Sequence, residues 1–293
     1  MSSSAATWIA ADWGTTHLRV WAMSDSGTVL DKAQSDDGMG RLARDDYPAA
    51  LDRLTADWPR VPVIACGMVG SRQGWAEAPY ASVPCPPLSD TLTKAGARTR
   101  IIPGLKQASP ADVMRGEETQ IAGFLSLNPR WDGVICLPGT HTKWVHVSAE
   151  EVVSFQTVMT GDLFAAITGH TVLRHSTGAG WDDAGFLQGV DDAISRPEKL
   201  AARLFSLRAE GLLNALPDAV ARARLSGLLI GAELAATKPY WLGQQIAVIG
   251  AGTLAGLYVT ALAAQSAPAT QVNADRATLA GLTAAWRRWK ETT

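Results

Sequence analysis

Apolar and polar positions alternate with a period of two near the start of the chain and shift to longer, helical spacings downstream. Thr7 to Ala11, Leu18 to Met23 and Thr28 to Leu30 read as strands, separated by the polar turns Asp12-Trp13-Gly14-Thr15-Thr16 and Ser24-Asp25-Ser26-Gly27. A helical period runs from Tyr47 to Trp58. Val61-Pro62-Val63-Ile64-Ala65-Cys66 is an apolar strand that opens into the glycine-bearing loop Gly67 to Trp75, and loops at the ends of buried strands are where α/β proteins keep their chemistry. Pro79 to Pro110 carries little periodicity. Ala111 to Leu127 then reads as a helix announced by Ser109-Pro110 and ended by Asn128-Pro129.

The second half repeats part of this plan. Gly133 to Leu137 is a buried strand, Pro138-Gly139-Thr140-His141-Thr142 a turn, and Lys143 to Val147 a second strand. Helical patterns dominate from there to Gln245, with helices predicted over 161–173, 182–194, 197–208 and 218–236. Strand Ile246 to Ile249, helix Leu254 to Ala264, strand Thr270 to Ala274 and helix Arg276 to Lys290 close the chain. Setting Gly14-Thr15 on Gly139-Thr140 aligns the strand before, the polar turn and the strand after, with Val20 on Val145. The chain thus contains two copies of one strand-turn-strand device, and Leu137 in place of Asp12 gives the copies different roles.

A length of 293 residues suits two domains or one large one, and 47 % hydrophobic against 18 % charged residues supports a sizeable core. A formal net charge of −2 with no long block of either sign argues against a dedicated nucleic-acid binder. Three scattered cysteines make no disulfide framework and suit a reducing compartment. The start of the chain has no basic segment ahead of a long apolar run, so no secretory signal is expected and the cytoplasm is the expected location. Ile246 to Ala264 is uncharged and nearly long enough to span a bilayer, yet Gly250, Gly252, Gly256 and a change of period make it strand, turn and helix. No membrane partner is expected.

Three glycine loops are the candidate chemistry. Asp12-x-Gly14-Thr15-Thr16 sits at a strand end, where glycine lets backbone N–H groups face an anion and the two hydroxyls add donors. A carboxylate just before such a loop suits a hydrated Mg²⁺ held against phosphate; the alternative is an ordinary hairpin with local Asx-turn bonding. Gly139-Thr140-His141-Thr142-Lys143 has the donors without the acid, and no His, Cys or Asp spacing resembles a zinc site. Gly250-Ala251-Gly252-Thr253 follows an apolar strand and opens a helix, offering a flat backbone surface to a nucleotide. With Asp275 some two dozen residues on, it also matches a dinucleotide fingerprint, so a nicotinamide-dependent oxidoreductase is the alternative outside this class, beside a non-catalytic sugar-sensing module. Ser71, Arg72 and Gln73 form a candidate grip on a substrate carboxylate, with Trp75 expected against the sugar. Glu117 and Glu118 are adjacent on a helix and point about 100° apart, so only one can face a ligand squarely.

In this order the three loops resemble the phosphate 1, phosphate 2 and adenosine motifs of the actin, heat-shock-protein and sugar-kinase superfamily. The chain is most similar to the 2-dehydro-3-deoxygalactonokinase family. The resemblance is carried by Ala11 to Thr16, Gly67 to Trp75, Met114 to Gln120, Leu137 to Trp144 and Leu225 to Glu233. It implies an α/β, two-domain actin-like ATPase (ribonuclease H-like) fold, with mixed sheets flanked by helices and an interdomain cleft. The sugar-acid domain would cover 1–127, completed by a C-terminal helix over 275–293, and the nucleotide domain 128–274. The implied reaction is transfer of the γ-phosphoryl group of MgATP to the 6-hydroxyl of 2-dehydro-3-deoxy-D-galactonate or a related sugar acid. By the same resemblance Asp12 is the magnesium-associated acid and Gly14, Thr15 and Thr16 the first phosphate loop. Gly139, Thr140 and Thr142 are the second, and Gly250, Gly252 and Thr253 the adenosine loop. Related carbohydrate kinases carry a Gly-Asp-Gln element where this chain has Gly116-Glu117-Glu118, which makes Glu117 the expected base and Asp162 the second choice. Oligomeric state leaves no mark in the sequence.

Overall fold

Apolar runs buried on both faces set the two main sheets, and the helices are placed by what those faces need covered. The computed structural model describes residues 5–292. Residues 1–4, which begin the segment read as lacking a secretory signal, and residue 293, the last of the expected C-terminal helix, lie outside the described residues. In chain order the first elements are β1 (Trp8–Trp13), β2 (Leu18–Met23), β3 (Val29–Ser35), α1 (Tyr47–Leu54), β4 (Val63–Gly67), β5 (Tyr80–Ser82), β6 (Thr93–Ala95), β7 (Thr99–Ile101), β8 (Gly104–Gln107), β9 (Asp112–Met114) and α2 (Glu117–Leu127). There follow β10 (Gly133–Leu137), β11 (Thr142–Ser148), β12 (Glu151–Val158), α3 (Thr160–His170), α4 (Asp183–Ser195), α5 (Leu200–Asn214) and α6 (Asp218–Ala236). The chain closes with α7 (Lys238–Trp241), β13 (Ile246–Gly250), α8 (Gly252–Ala264), β14 (Ala269–Asn273) and α9 (Ala274–Glu291).

The chain divides into two compact units. One takes in everything up to Asp132, the hairpin tip Val147–Ser154 and the chain from Asn273 onward; the other comprises Gly133–His146 and Phe155–Val272. The first unit's main sheet has the order β3-β2-β1-β4-β7-β6, with β1 antiparallel to β2 and parallel to β4, and a small sheet β5-β8-β9 stands beside it. The other sheet runs β12-β11-β10-β13-β14, with β10 parallel to β13. Its first four strands therefore repeat β3-β2-β1-β4 in order, which is the three-dimensional form of the strand-turn-strand similarity.

Packing explains why β1 has no polar face. Ile9, Ala11 and Trp13 pack with Tyr47 and Leu51 of α1, while Trp8 and Ala10 face the other way against Leu282, Ala285 and Trp286 of α9. The Trp8 and Trp286 rings stack at 5.2 Å, 7° from parallel. In the other unit Val134, Cys136 and Val248 meet Phe186 of α4 and Tyr258 of α8.

Three local expectations are corrected. The helix foreseen from Ala111 begins only at Glu117, because Gly116 takes φ +107°, and the preceding Asp112–Met114 pairs with β8 instead. The stretch after Val147, read as helical, opens with β12. Its hairpin turns through Ala149 and Glu150 at φ 52° and 65°, residues that give no turn signal in a sequence. Between Pro79 and Pro110 lie three- and four-residue strands too short to show a period. No helix among the described residues is long and apolar enough to cross a membrane; Ile246 to Ala264 is β13 and α8.

Candidate active site

In the first unit the parallel pairing of β1 with β4 sets Asp12 opposite Cys66 and Trp13 opposite Gly67. Gly67 has φ +90°, and a Cβ there would lie 2.7 Å from the Trp13 carbonyl oxygen and 3.5 Å from Asp12 Oδ1. Gly116, which opens α2, approaches so closely that its Cβ would be 3.3 Å from Gly67 Cα. The ends of β1 and β4 and the N-terminus of α2 therefore converge, bringing Asp12 and the two glutamates into one corner. Asp12 Oδ2 accepts a hydrogen bond from Arg19, whose Nη1 also donates to Asp275 at 2.6 Å. Burial works against the Arg19 cation, but the two carboxylates outweigh it and raise its pKa. The Cys66 thiol lies 3.8 Å from Asp12 Oδ1; burial, then Asp12 and Glu118, push it far up, so it stays protonated.

The turn Gly14-Thr15-Thr16 carries both threonines exposed. It is braced from below: Met39 N–H donates to the Gly14 carbonyl at 3.0 Å and Gly40 N–H to that of Thr15 at 2.8 Å. A Cβ on Gly38 would fall 2.2 Å from Thr16 C, so only glycine permits this contact. The second hairpin has the same brace. Asp162 N–H donates to the Thr140 carbonyl at 3.0 Å, and a Cβ on Gly161 would meet the Gly139 oxygen at 2.4 Å. In both units the third residue after the third strand of the repeat is the glycine that tucks beneath the turn.

At the head of α2 the two glutamates differ as their angular separation demands. Glu117 is half-buried and its Oε2 accepts from Arg115 N–H at 3.0 Å. Glu118 is fully buried; its Oε2 accepts from Gly116 N–H at 2.6 Å and its Oε1 from the Thr119 hydroxyl at 3.0 Å. Burial, and after it the Glu117 charge, raise the Glu118 carboxyl to about 8. The folded chain thus holds a proton that the unfolded chain releases above about 4.5, so this contribution to stability is full below that pH and lost as pH rises through about 8. Glu118→Gln is expected to flatten the fall in stability between pH 5 and 8 by about 2–4 kcal/mol, read from urea midpoints at both pH values; an unchanged slope would refute the assignment.

The Gly67 to Trp75 loop presents less than its sequence offers. Arg72 and Gln73 are exposed, but the Ser71 side chain is buried, and Trp75 packs 6.1 Å from Tyr47 and 6.2 Å from Trp13 in the aromatic core. Arg44 clamps the loop by donating to the Arg72 and Gly74 carbonyls at 2.7 and 3.2 Å.

In the other unit a cavity of about 450 Å³ is lined by Gly139, Thr140 and Gly161 at one side and by Arg222, Thr253 and Tyr258 among others. Gly250 ends β13 and Gly252 opens α8 at φ +58°. Thr142 is fully buried, its hydroxyl 2.9 Å from that of Tyr258, so it offers its side chain to the interior. Asp162 stands on the first turn of α3 with an Oδ2 3.3 Å from His141 Nε2. It belongs to the unit that holds Gly139, Thr140, Gly250 and Thr253, whereas Asp12, Glu117 and the 71–75 loop belong to the first. Asp275, the ribose acid of the oxidoreductase alternative, does not end a strand beside the glycine loop: β14 stops at Asn273 and Asp275 lies in the first turn of α9, held by Arg19. Among the described residues no group of three or more His, Cys, Asp or Glu is arranged to hold a metal ion. Sequence reading passed over Arg19, whose partner Asp275 is distant in the chain.

Two repeated halves of this topology define an actin-like ATPase fold. A solved structure with that fold is the activator of the 2-hydroxyisocaproyl-CoA dehydratase from Clostridium difficile, with bound ADPNP, at a TM-score of 0.54 and 13 % identity over 97 % of this chain and 96 % of that one. The sequence profile of the 2-keto-3-deoxy-galactonokinase family matches residues 12–285, and the chain belongs to that family. The 2-dehydro-3-deoxygalactonokinase of Escherichia coli K12 is 39 % identical over 290 residues, covering 94 % of this chain and 96 % of its own. A crystal structure of a Sinorhizobium meliloti protein, provisionally given the same activity, superposes with a TM-score of 0.91 at 38 % identity, covering 96 % of this chain and 98 % of that one.

Proposed function

We propose that this chain transfers the γ-phosphoryl group of MgATP to the 6-hydroxyl of 2-dehydro-3-deoxy-D-galactonate, releasing ADP. The observation that carries the reading, beside family membership, is the glycine-braced hairpin found in each unit with an acid in only one of them. Phosphoryl transfer asks a protein mostly for positioning and charge neutralisation, and exposed turn N–H groups with adjacent hydroxyls supply both. The Gly14-Thr15-Thr16 and Gly139-Thr140 turns hold phosphate oxygens, and the adenosine end lies in the cavity bordered by Thr253.

The donor set at Asp12 fits magnesium. One carboxylate oxygen is engaged by Arg19 and the other lies 3.8 Å from the Cys66 thiol, which suits a cation that keeps most of its water and takes one protein carboxylate. Asp12 would hold a magnesium ion there, which would supply charge neutralisation at the phosphate oxygens. Glu117 accepts the proton of the attacking hydroxyl, being half-exposed where Glu118 is sealed in, with Asp162 as the second candidate. Arg72 and Gln73 reach for the sugar acid's carboxylate, while Ser71 and Trp75 hold the loop that presents them. The chain acts in the cytoplasm on small molecules.

Coupled ADP release across a panel of 2-dehydro-3-deoxy sugar acids tests the reading. Turnover is expected with the galactonate-derived substrate at least tenfold above its epimer, and no change in the absorbance band of a reduced nicotinamide. ADP release that ignores the sugar acid would end the proposal.

A further inference from the structure

One buried acid in the nucleotide unit has no place in the mechanism above. Glu233, on α6, is 2 % exposed, and three side chains from three other elements donate to its carboxylate. Trp144 Nε1 of β11 donates to Oε1 at 2.7 Å; the Tyr258 hydroxyl of α8 donates to Oε2 at 2.7 Å, and the Thr160 hydroxyl that starts α3 donates to the same oxygen. The network extends one step further, since the Tyr258 and Thr142 hydroxyls lie 2.9 Å apart. Burying a carboxylate in such a place is expensive unless its lone pairs are met, and three donors meet them here.

What these donors adjoin is the point. Thr160 directly precedes Gly161, whose missing side chain lets α3 press against Gly139 and Thr140. Trp144 and Thr142 belong to the strand that leaves the same turn, and Thr160 and Tyr258 both line the 450 Å³ cavity. We infer that Glu233 is a positioning residue that fixes the Gly139-Thr140 turn against α3 and α8, and so sets the turn's N–H groups for the nucleotide's phosphates; this rests on the nucleotide site proposed above. A carboxylate tied to rigid elements on three sides holds the turn in one geometry before the nucleotide arrives. The adenosine end is bordered by Thr253 and Leu254 of α8 and by Arg222, which are not the groups Trp144, Thr160 and Tyr258 that donate to Glu233.

The distinction gives the test. Binding of ADP and of adenosine is measured calorimetrically on the full chain and on Glu233→Gln, whose amide cannot accept from all three donors. ADP affinity is expected to fall at least tenfold while adenosine affinity stays within twofold, and KM for ATP to rise with KM for the sugar acid unchanged. Should Glu233→Gln fail to fold, Thr160→Val serves, with Thr160→Ser restoring ADP affinity. Equal losses for ADP and adenosine, or no loss of either, would overturn the positioning role while leaving the kinase reading intact. A wild-type chain that binds neither ligand would overturn both.

Discussion

Asp12→Asn is expected to lower kcat by at least about 10³ while the chain stays folded and KM for the sugar acid moves little. The substitution keeps the size and hydrogen-bonding reach of the side chain. It removes the one acidic group that stands before the proposed first phosphate turn, and with it the negative charge proposed to hold a divalent cation. The second hairpin has Leu137 at the matching place, so it offers no counterpart to this acid. Folding should survive, since Arg19 keeps its 2.6 Å bond to Asp275 and the amide oxygen still accepts from Arg19. Steady-state ADP release with saturating sugar acid, beside a melting curve, measures both halves of the expectation. Turnover equal to the wild type would remove Asp12 from the metal role.

The parts of this molecule that were legible in the sequence are those where one local rule suffices. The apolar run Ile246 to Ile249 and the helix from Asp218 to Ala236 emerged nearly to the residue, because burial on both faces or a long helical period leaves no competing reading. The pairing of Gly14-Thr15 with Gly139-Thr140 was visible too, and its structural basis is the shared glycine brace beneath each turn. That brace itself, at Gly38 and Gly161, was not visible, since nothing in the sequence ties a glycine to a turn more than twenty residues earlier. Glu233 escaped for a like reason: its donors Trp144, Thr160 and Tyr258 are far from it in the chain, and a lone acid in an apolar helix gives no hint of them. Trp75 misled in the other direction. A tryptophan in a glycine loop suggests a sugar platform, yet Tyr47 and Trp13 draw it into the core.

Gly281→Val should destabilise the chain by about 3 kcal/mol or more, enough to lower its melting temperature by roughly 6–12 °C. Helices α2 and α9 touch backbone to backbone at this point. A Cβ on Gly281 would lie 1.9 Å from the Thr119 carbonyl oxygen, and one on Gly123 would lie 1.8 Å from that of Ala277. Neither obstacle is a side chain that can rotate away, so relief requires the helices to separate along their contact. Separation also unseats the apolar face of α9, on which Trp286 stacks with Trp8 of β1. It tilts α2 as well, whose first turn holds Glu117 and Glu118, so activity should fall further than the loss of folded chain alone explains. Melting curves and ADP release on the same samples separate the two effects. A Gly281→Ala variant grades the steric argument, since its single methyl meets the same oxygen with less bulk around it. If valine left the melting temperature within 2 °C of the wild type, the close crossing of α2 and α9 could not be what holds α2 in place.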